Sequence, residues 1–237
     1  DRMRVEFLGT GTSTGVPMIG CRCDVCRSKD SRDRRLRSSV CLTVDDKNIL
    51  IDCGPDFRQQ MLRSGIDHID AVLLTHEHYD HTSGLDELRN FSRNNPIPIY
   101  AEPNVLDIIH QRLFYCFSKQ PNPGVAHLEL KAIENLSPFT LFGIDIEPVR
   151  VWHYRLPIIG YRIGRFAYIT DMLTIPDGEC AKLSNLDTLV VNALRHKPHI
   201  SHQNLESALT FIAQLNPEQA YICLLYTSDA ADEARSV

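Results

Sequence analysis

Short apolar segments separated by polar turns recur along most of the chain, which is the pattern that β-strands produce in a layered fold. Nine of these segments predict strands: Met3–Leu8, Val40–Val44, Asn48–Ile51, Ala71–Leu74, Ile99–Ala101, Ile144–Val149, Ile158–Ile163, Phe166–Ile169 and Thr188–Asn192. Four longer segments predict helices: Asp56–Ser64, Ser83–Phe91, Asn104–Phe117 and Asn204–Gln214. Because helices separate groups of strands, the pattern predicts an α/β (α+β) architecture built in layers.

Two details of this pattern make local predictions. Asp45-Asp46-Lys47 stands between two predicted strands and has the residue types of a hairpin turn. In the last predicted helix, Asn204 has the chemistry of an N-cap. Its apolar positions recur at helical spacing and predict a face that packs on the core: Leu205, Ala208, Leu209 and Ile212.

Composition places the chain among ordinary globular proteins. It has 237 residues, of which 43% are hydrophobic and 23% charged, and its net charge of -5 disfavours a protein that coats nucleic acid. No apolar run approaches the roughly 18 residues of a membrane span. The start lacks the apolar core of a signal peptide, although Asp1 and Arg2 precede Met3. We therefore expect a soluble, cytoplasmic protein with no membrane partner.

The eight cysteines divide into a tight group and scattered single residues. Cys21-x-Cys23-x-x-Cys26 has the spacing of metal ligands, because a reducing compartment keeps such thiols unpaired. The others lie in apolar surroundings and are expected to be small buried residues: Cys41, Cys53, Cys116, Cys180 and Cys223.

A basic segment overlaps the cysteine group. Between residues 22 and 37 it has seven basic side chains against three acidic ones: Arg22, Arg27, Lys29, Arg32, Arg34, Arg35 and Arg37 against Asp24, Asp30 and Asp33. This local charge of +4 leaves -9 for the rest of the chain. Two interpretations stay open, a solvated face and a rim that attracts phosphate.

The strongest chemical signal follows the apolar strand that ends at Leu74. There the chain reads Thr75-His-Glu-His-Tyr-Asp-His81, with four potential metal ligands within six residues: His76, His78, Asp80 and His81. Imidazole nitrogen and carboxylate oxygen are preferred ligands of zinc, manganese and iron. Their alternation allows two neighbouring ions to be held at one strand end.

His-x-His-x-Asp-His after an apolar strand resembles the metal-binding motif of the metallo-β-lactamase superfamily, and Leu50-Ile51-Asp52-Cys53-Gly54 resembles its preceding strand and turn. The resemblance covers residues 3 to 221. It implies a four-layer αββα sandwich forming a single domain over residues 1–222. It also implies that one metal is held by His76, His78 and His153 and a second by Asp80 and His81, with Asp171 between them.

The same resemblance implies a reaction. Two divalent transition-metal ions, Zn or Mn, would generate a bridging hydroxide that attacks the phosphorus of a phosphodiester. Asp80 and His202 are the expected catalytic residues, and His202 aligns with a histidine that stabilises phosphate and assists as general acid. His196 and His199 share its loop and are weaker candidates.

The N-terminal motifs narrow the branch of the superfamily. Gly9-Thr10-Gly11-Thr12-Ser13, followed by Val16-Pro17 and the cysteine group, is similar to the PhnP-like cyclic-phosphate phosphodiesterases. In that branch Cys21, Cys23 and Cys26 would hold a structural zinc, closed by a C-terminal histidine. The expected substrate is a small cyclic phosphodiester, and a homodimer is the expected oligomer to test.

Other functions stay open. A tRNA 3′-processing endonuclease would bind nucleic acid through a long basic arm, but Pro103–Val125 contains only Arg112 and Lys119 as basic residues. Cofactor-biosynthesis relatives also carry cysteine zinc sites. A β-lactamase or thioesterase agrees less well with His202 and the cysteine group. A metal-binding protein without catalysis is the alternative from another class.

The C-terminal segment departs from the branch. After Ile222 the branch would continue with two histidines, one for the second catalytic metal and one for the cysteine zinc, whereas no histidine here follows His202. Residues 223–237 resemble translated sequencing-adapter sequence. We expect them to be an artefact that replaces the natural C-terminus, with metal binding and catalysis impaired as a result.

Overall fold

The computed structural model describes residues 3–120 and 122–225. The chain divides into two compact units, each assembled from two segments. The first unit comprises Asp1–Gly9 and Arg37–Asn135, and the second comprises Thr10–Leu36 and Leu136–Val237. The predicted single domain over residues 1–222 and the atypical tail over residues 223–237 stay predictions, and residues 226–237 lie outside the described part of the chain.

Twelve strands are present in the described residues: β1 (Met3–Gly9), β2 (Ser39–Val44), β3 (Lys47–Ile51), β4 (Ala71–Leu73), β5 (Ile97–Ala101), β6 (Leu128–Ala132), β7 (Phe139–Leu141), β8 (Ile144–His153), β9 (Leu156–Ile163), β10 (Phe166–Tyr168), β11 (Thr188–Asn192) and β12 (Gln219–Cys223). The α-helices there are α1 (Asp24–Arg27), α2 (Phe57–Ser64), α3 (Tyr79–Thr82), α4 (Pro103–Arg112), α5 (Asp177–Cys180) and α6 (Leu205–Leu215). Four 3₁₀ turns complete the set: Ser31–Asp33, Leu85–Asn90, Phe114–Cys116 and Ala181–Leu183.

The first unit is a mixed six-stranded sheet in the order β1-β2-β3-β4-β5-β6. β1, β2 and β3 pair antiparallel, whereas β3 to β6 pair parallel. Phe57 and Met61 of α2 and Val105 and Ile109 of α4 pack with the apolar side chains of this sheet. The parallel strands bring the end of β4, from which the histidine motif starts, next to the end of β3.

The second unit is a mixed six-stranded sheet in the order β12-β11-β10-β9-β8-β7. β7 to β10 pair antiparallel, and β10, β11 and β12 pair parallel. Leu205, Ala208 and Phe211 of α6 pack with the apolar residues of these strands. Two mixed sheets with helices confirm the predicted α+β fold class.

Several local predictions are confirmed. β2 and β3 form an antiparallel hairpin around Asp45 and Asp46, and Asp45 has a φ of +52°, which aspartate tolerates better than most residues. Asn204 caps α6, since its side-chain oxygen accepts a hydrogen bond from the Ser207 amide. The predicted strand Thr188–Asn192 is β11 with the same bounds.

Other local predictions are wrong in position or kind. The predicted helix Ser83–Phe91 is instead the 3₁₀ turn Leu85–Asn90, and the short helix α3 ends at Thr82, before the predicted segment begins. The cause is Gly84, whose amide donates to the Cys53 carbonyl and holds the chain too close to the preceding loop for a continuous helix. Leu209 of α6 is 42% exposed, and Phe211 occupies the buried face in its place.

Three strands lacked a clear sequence signal, namely β6, β7 and β12, and the predicted helix Asn104–Phe117 ends at Arg112. β6 and β7 alternate apolar and polar residues, but they are short edge strands of five and three residues, so their pairing depends on tertiary contacts. None of the helices within residues 3–120 and 122–225 combines the length and the apolar character needed to cross a bilayer.

Candidate metal and catalytic centre

The first cluster consists of His76, His78, Asp80 and His81, and it follows β4 in the first unit. His76 and His81 are buried, whereas Asp80 is half-buried and His78 is exposed. The chain turns after His78 into the single helical turn of α3, which places residues 80 and 81 back toward residue 76. The ring centroids of His76 and His81 are 4.2 Å apart. One strand end and one helical turn thus gather all four predicted ligands.

Donor atoms of the first cluster converge in two pairs. Nε2 of His76 lies 3.1 Å from Nδ1 of His78, and Nε2 of His81 lies 3.1 Å from Oδ2 of Asp80. Two nitrogens on one tetrahedral zinc ion, each about 2.0–2.1 Å from it, would be separated by about 3.3 Å. The observed spacing therefore fits a divalent ion bound by imidazole and carboxylate.

Asp52 supports the first cluster through hydrogen bonds. It ends the segment after β3, is fully buried and has a φ of +62°. Its carboxylate accepts hydrogen bonds from the Thr75 amide at 2.9 Å and from Nδ1 of His81 at 2.6 Å. Burial raises the pKa of Asp52, and the His81 imidazole and the Thr75 donors oppose that shift. Accepting the Nδ1 proton of His81 directs its Nε2 toward Asp80.

Thr75 orients His76 in the same way. Its hydroxyl donates to Oδ2 of Asp52 at 2.9 Å, and its oxygen lies 2.9 Å from Nδ1 of His76, which donates to it. The proton of His76 is therefore on Nδ1, so that Nε2 is the atom with a lone pair for a ligand. Sequence reasoning had assigned no role to Thr75, although its position directly before His76 was the available signal.

The second cluster consists of His153, Asp171 and His202, all in the second unit. His153 ends β8, Asp171 follows β10, and His202 precedes α6. One donor atom from each of the three residues lies within 4.8 Å of the other two. Three segments that are distant in sequence are therefore brought together with the donor types that the resemblance implies.

Neighbouring groups fix the second cluster. Nδ1 of His153 donates to the Ser201 carbonyl at 2.9 Å, which directs its Nε2 to the opposite side. The Thr170 hydroxyl donates to Oδ2 of Asp171 at 2.9 Å, while Oδ1 lies 3.7 Å from Nδ1 of His202. Asp171 is buried with a φ of +56°, a costly conformation for a residue other than glycine.

The loop before α6 also contains the two weaker candidates. The ring centroid of His199 is 5.3 Å from that of His202, and Nδ1 of His199 accepts from the Ser201 amide. Burial, with Arg195 and His153 nearby, lowers the pKa of His199. His196 is exposed on the same loop. Of these histidines, His202 is the one within the second cluster.

Cys21, Cys23 and Cys26 form the cysteine cluster in the second unit. Their sulfur atoms lie within 4.8 Å of one another, which fits a zinc ion with Zn–S bonds of about 2.3 Å. The Met18 amide donates to the Sγ of Cys26 at 3.4 Å, and such a bond stabilises a thiolate. Three thiolates leave one position for a fourth ligand in a closed site.

Cys223 ends β12 and lies beside the second cluster. Its sulfur is 3.9 Å from the Thr170 hydroxyl, which in turn donates to Asp171. Cys223 follows Ile222 directly, so the first residue of the predicted atypical tail contacts Thr170, the residue that orients Asp171. Residues 226–237, the rest of the predicted atypical tail, lie outside the described part of the chain.

Several arginines of the basic segment form ion pairs or hydrogen bonds within the protein. Arg32 pairs with Asp30, Arg35 donates to the Leu225 carbonyl at 3.0 Å, and burial lowers the pKa of Arg35. Arg37, in the first unit, pairs with Asp56 at 3.0 Å. Arg22 and Arg27 are exposed, which favours the solvated-face interpretation for that part of the segment.

A comparison of sequences and a comparison of structures give the same result for this chain. Residues 47–223 match the sequence profile described as "Beta-lactamase superfamily domain". The crystal structure of a diphosphatase from the PhnP family superposes with a TM-score of 0.87 at 39% identity, covering 94% of this chain and 87% of that one.

Two proteins are related to this chain in sequence. An octanoyltransferase of Porphyromonas gingivalis is 50% identical over 225 residues, which is 94% of this chain and 46% of that protein, so the chain spans about half the length of that relative. Coenzyme PQQ synthesis protein B of Methylobacterium radiotolerans is 29% identical over 221 residues, covering 79% of this chain and 72% of the relative.

Proposed function

Because the chain belongs to the β-lactamase superfamily and has the fold of its metal-dependent hydrolases, we propose that it is a phosphodiesterase that cleaves a small, cyclic phosphodiester. The observation that carries the proposal is the convergence of His76 Nε2 on His78 Nδ1, with the Nδ1 proton of His76 fixed through Thr75 and Asp52. With its Nδ1 proton fixed, His76 presents the lone pair of Nε2, and the 3.1 Å spacing to Nδ1 of His78 is close to that of two nitrogens on one divalent ion.

The proposed cofactors are two divalent transition-metal ions, Zn or Mn, and a structural Zn in the cysteine cluster. The proposed ligands of the two catalytic ions are the first cluster together with His153 and Asp171, and His202 is left free to handle a proton. When bound, the catalytic ions supply Lewis-acid polarisation of the phosphoryl group and lower the pKa of water. That both clusters serve the same metal centre stays a prediction from the family resemblance.

The residues of this chain contribute orientation and proton handling. Asp52 accepts a hydrogen bond from the Nδ1–H of His81 and holds that ring in one tautomer, and Asp80 adds negative charge beside it. In the second cluster, Asp171 lies close enough to Nδ1 of His202 to stabilise its protonated form. A protonated His202 can then donate a proton to the leaving oxygen of the substrate, which is a general-acid role.

A diphosphate is the second candidate substrate, because the PhnP-family neighbour at 39% identity is a diphosphatase. Attack at phosphorus with departure of a substituted oxygen is common to both substrates. They differ in the leaving group, since a phosphate leaves without the proton that an alkoxide needs.

The other activities find less support. The Arg112 guanidinium donates to the Glu77 carbonyl and to the Thr82 hydroxyl, so one of the two basic residues between 103 and 125 is already engaged within the first unit. This weakens the tRNA-endonuclease alternative. For the octanoyltransferase relative, we propose that acyl transfer belongs to the part of that protein outside the alignment, because the clusters described above are donor sets for metal ions.

The proposal is tested by hydrolysis of bis(p-nitrophenyl) phosphate with added Mn²⁺ or Zn²⁺. We expect turnover in the unsubstituted chain, at a rate reduced by its altered C-terminal segment. We expect its loss in His78→Ala and no change in His127→Ala, a control at an exposed histidine of the first unit. Metal bound in stoichiometric amount without any turnover would favour the binding-protein alternative. Comparison of a ribose cyclic phosphate, an organic diphosphate and a precursor tRNA then identifies the substrate class.

A further inference from the structure

A cavity of about 370 Å³ lies in the second unit, between residues 172–175 and one face of α6. Met172 directly follows Asp171, and Gln203, which also lines the cavity, directly follows His202. The proposed hydrolysis assigns no role to this cavity. An occupant would contact the residues adjacent to two members of the second cluster.

Gln203 is the unusual group of this cavity. Its side chain is 95% buried, since only 5% remains exposed, and its Nε2 has no hydrogen-bond partner within residues 3–120 and 122–225. A buried amide donor without a partner destabilises the folded protein, so such groups are rare in native structures. An acceptor supplied by a ligand would remove this cost.

The backbone around Gln203 is firmly held. Its amide donates to the Met172 carbonyl at 3.1 Å, and its carbonyl accepts from the Leu194 amide at 3.0 Å. Both backbone groups of Met172 are also bonded to the Asn192 side chain, at 2.7 and 3.0 Å. The backbone of the cavity wall is therefore formed in advance, and ligand binding would need only a rotation of the Gln203 side chain to bring Nε2 to the surface of the cavity.

The residues that line the cavity restrict the charge and polarity of a ligand that could bind there. Glu206 carries the only charge among the described residues that line the cavity, and it would repel a phosphate or a carboxylate. The Thr210 hydroxyl donates to the Glu206 carbonyl at 3.0 Å, so its oxygen accepts from a ligand, and Ser207 adds another hydroxyl. Met172 and Phe211 supply an apolar surface beside these groups.

We infer that this cavity binds a neutral sugar ring, with a ring or hydroxyl oxygen accepting from Nε2 of Gln203. Hydroxyl groups donate to Glu206 and Thr210, and the apolar face of the ring packs on Met172 and Phe211. A sugar is the class that combines many neutral hydroxyls with an apolar face, as this lining requires. The inference concerns a separate binding site and stands independently of phosphodiester cleavage.

Ligand-observed NMR of the full chain with D-glucose and with D-ribose tests the inference. We expect at least one sugar to bind to the wild-type chain, about tenfold more weakly to Gln203→Leu, and unchanged to Gln111→Leu, an exposed glutamine of α4. Thermal unfolding of Gln203→Leu should occur at the same or a higher temperature, because an unpaired buried amide is removed.

A second variant covers the case in which Gln203→Leu does not fold. Thr210→Val removes one hydroxyl at an exposed helix position and should also weaken sugar binding. The inference is overturned if neither sugar binds to the wild-type chain, if the folded variants bind both sugars as well as the wild type does, or if inorganic phosphate displaces the sugar.

Discussion

The carboxylate of Asp52 accepts a hydrogen bond from the Nδ1–H of His81, with Nδ1 and Oδ2 2.6 Å apart, and both side chains are buried almost completely. This bond joins the turn after β3 to α3, and the Cys53 amide strengthens the junction by donating to the His81 carbonyl. An imidazole held in this way presents its Nε2 in one direction only. The pair thus fixes the orientation of His81, which is one of the proposed metal ligands, before any ion is bound.

Asp52→Asn should weaken metal binding while keeping the fold. The amide has the same shape, but it no longer accepts the His81 proton as an anion, so we expect metal affinity to fall roughly 10- to 100-fold. Isothermal titration calorimetry with the metal ion measures the change in affinity. Asp70→Asn is the matched control, since Asp70 also accepts a backbone amide, that of Asn48, away from the cluster. Equal metal affinity in both variants would contradict the role of Asp52.

His202→Ala should reduce turnover according to the leaving group. With an alkyl phosphodiester, whose leaving oxygen needs a proton, we expect kcat to fall by roughly 10²- to 10⁴-fold. With bis(p-nitrophenyl) phosphate, whose leaving group departs as a stable anion, the decrease should be much smaller. Steady-state kinetics on both substrates measure this difference. An equal decrease on both would assign His202 to metal or phosphate binding instead.

The cysteines should differ in their reactivity toward iodoacetamide. Burial raises the pKa of Cys41 to about 12 and that of Cys53 well above its ordinary value, so neither is a thiolate near neutral pH. Cys23 is exposed and Cys21 is half-buried, and both should react in the folded protein. Peptide mapping by mass spectrometry identifies the alkylated positions.

Zinc provides the control for this alkylation experiment. If the cysteine cluster binds zinc, prior addition of the metal should protect Cys21 and Cys23 and leave the pattern at the buried cysteines unchanged. Alkylation of Cys21 and Cys23 at the same rate with and without zinc would argue against the site.

Gly84→Ala should destabilise the first unit. A Cβ at this position would lie 2.1 Å from the Gly54 carbonyl oxygen and 2.8 Å from the Cβ of Phe57, so the loop that carries Asp52 would have to move. We expect a loss of about 1–3 kcal/mol in the free energy of unfolding, measured by urea denaturation. Gly178→Ala is the control, since a Cβ there meets no atom within 4 Å. That variant should be neutral or gain about 0.4–1 kcal/mol.

The region around His68 should contribute stability that depends on pH. Hydrogen bonds to the Asp67 carboxylate and the Asp46 carbonyl raise the pKa of His68 above its ordinary value, and Asp70 lies nearby. A raised pKa stabilises the fold at pH values below the unfolded-state pKa of about 6.5, and this contribution is lost as the pH rises through the folded-state value.

An NMR titration of the imidazole protons checks this pH dependence. Asp67→Asn should bring the pKa of His68 closer to its ordinary value, because Asp67 is the largest cause of the shift. Asp107→Asn, at an exposed carboxylate of α4, should leave it unchanged. Identical titration of His68 in Asp67→Asn and in the wild type would contradict the assignment.

The sequence by itself determined the parts of this protein that depend on local order. Ala71–Leu74 is apolar throughout, and the dense histidine motif behind it placed the first cluster within a few residues. Neighbouring ligands on one turn need no long-range contact to come together, which is why residues 76 to 81 could be assigned before the structure. The α+β class and most strands followed in the same way from short apolar segments that are separated by polar turns.

Only the tertiary structure decided which distant residues meet. His153, Asp171 and His202 are separated by 18 and 31 positions, and each precedes or follows a different element. The family resemblance named all three, but no local pattern of this chain indicates that they meet. Thr75 and Asn192 took their roles from contacts with Asp52 and Met172. The continuous helix predicted after Ser83 failed because backbone packing at Gly84 outweighed local helix propensity. The sequence specifies the chemistry of each side chain, whereas the packing of strands and helices determines which groups a buried side chain contacts.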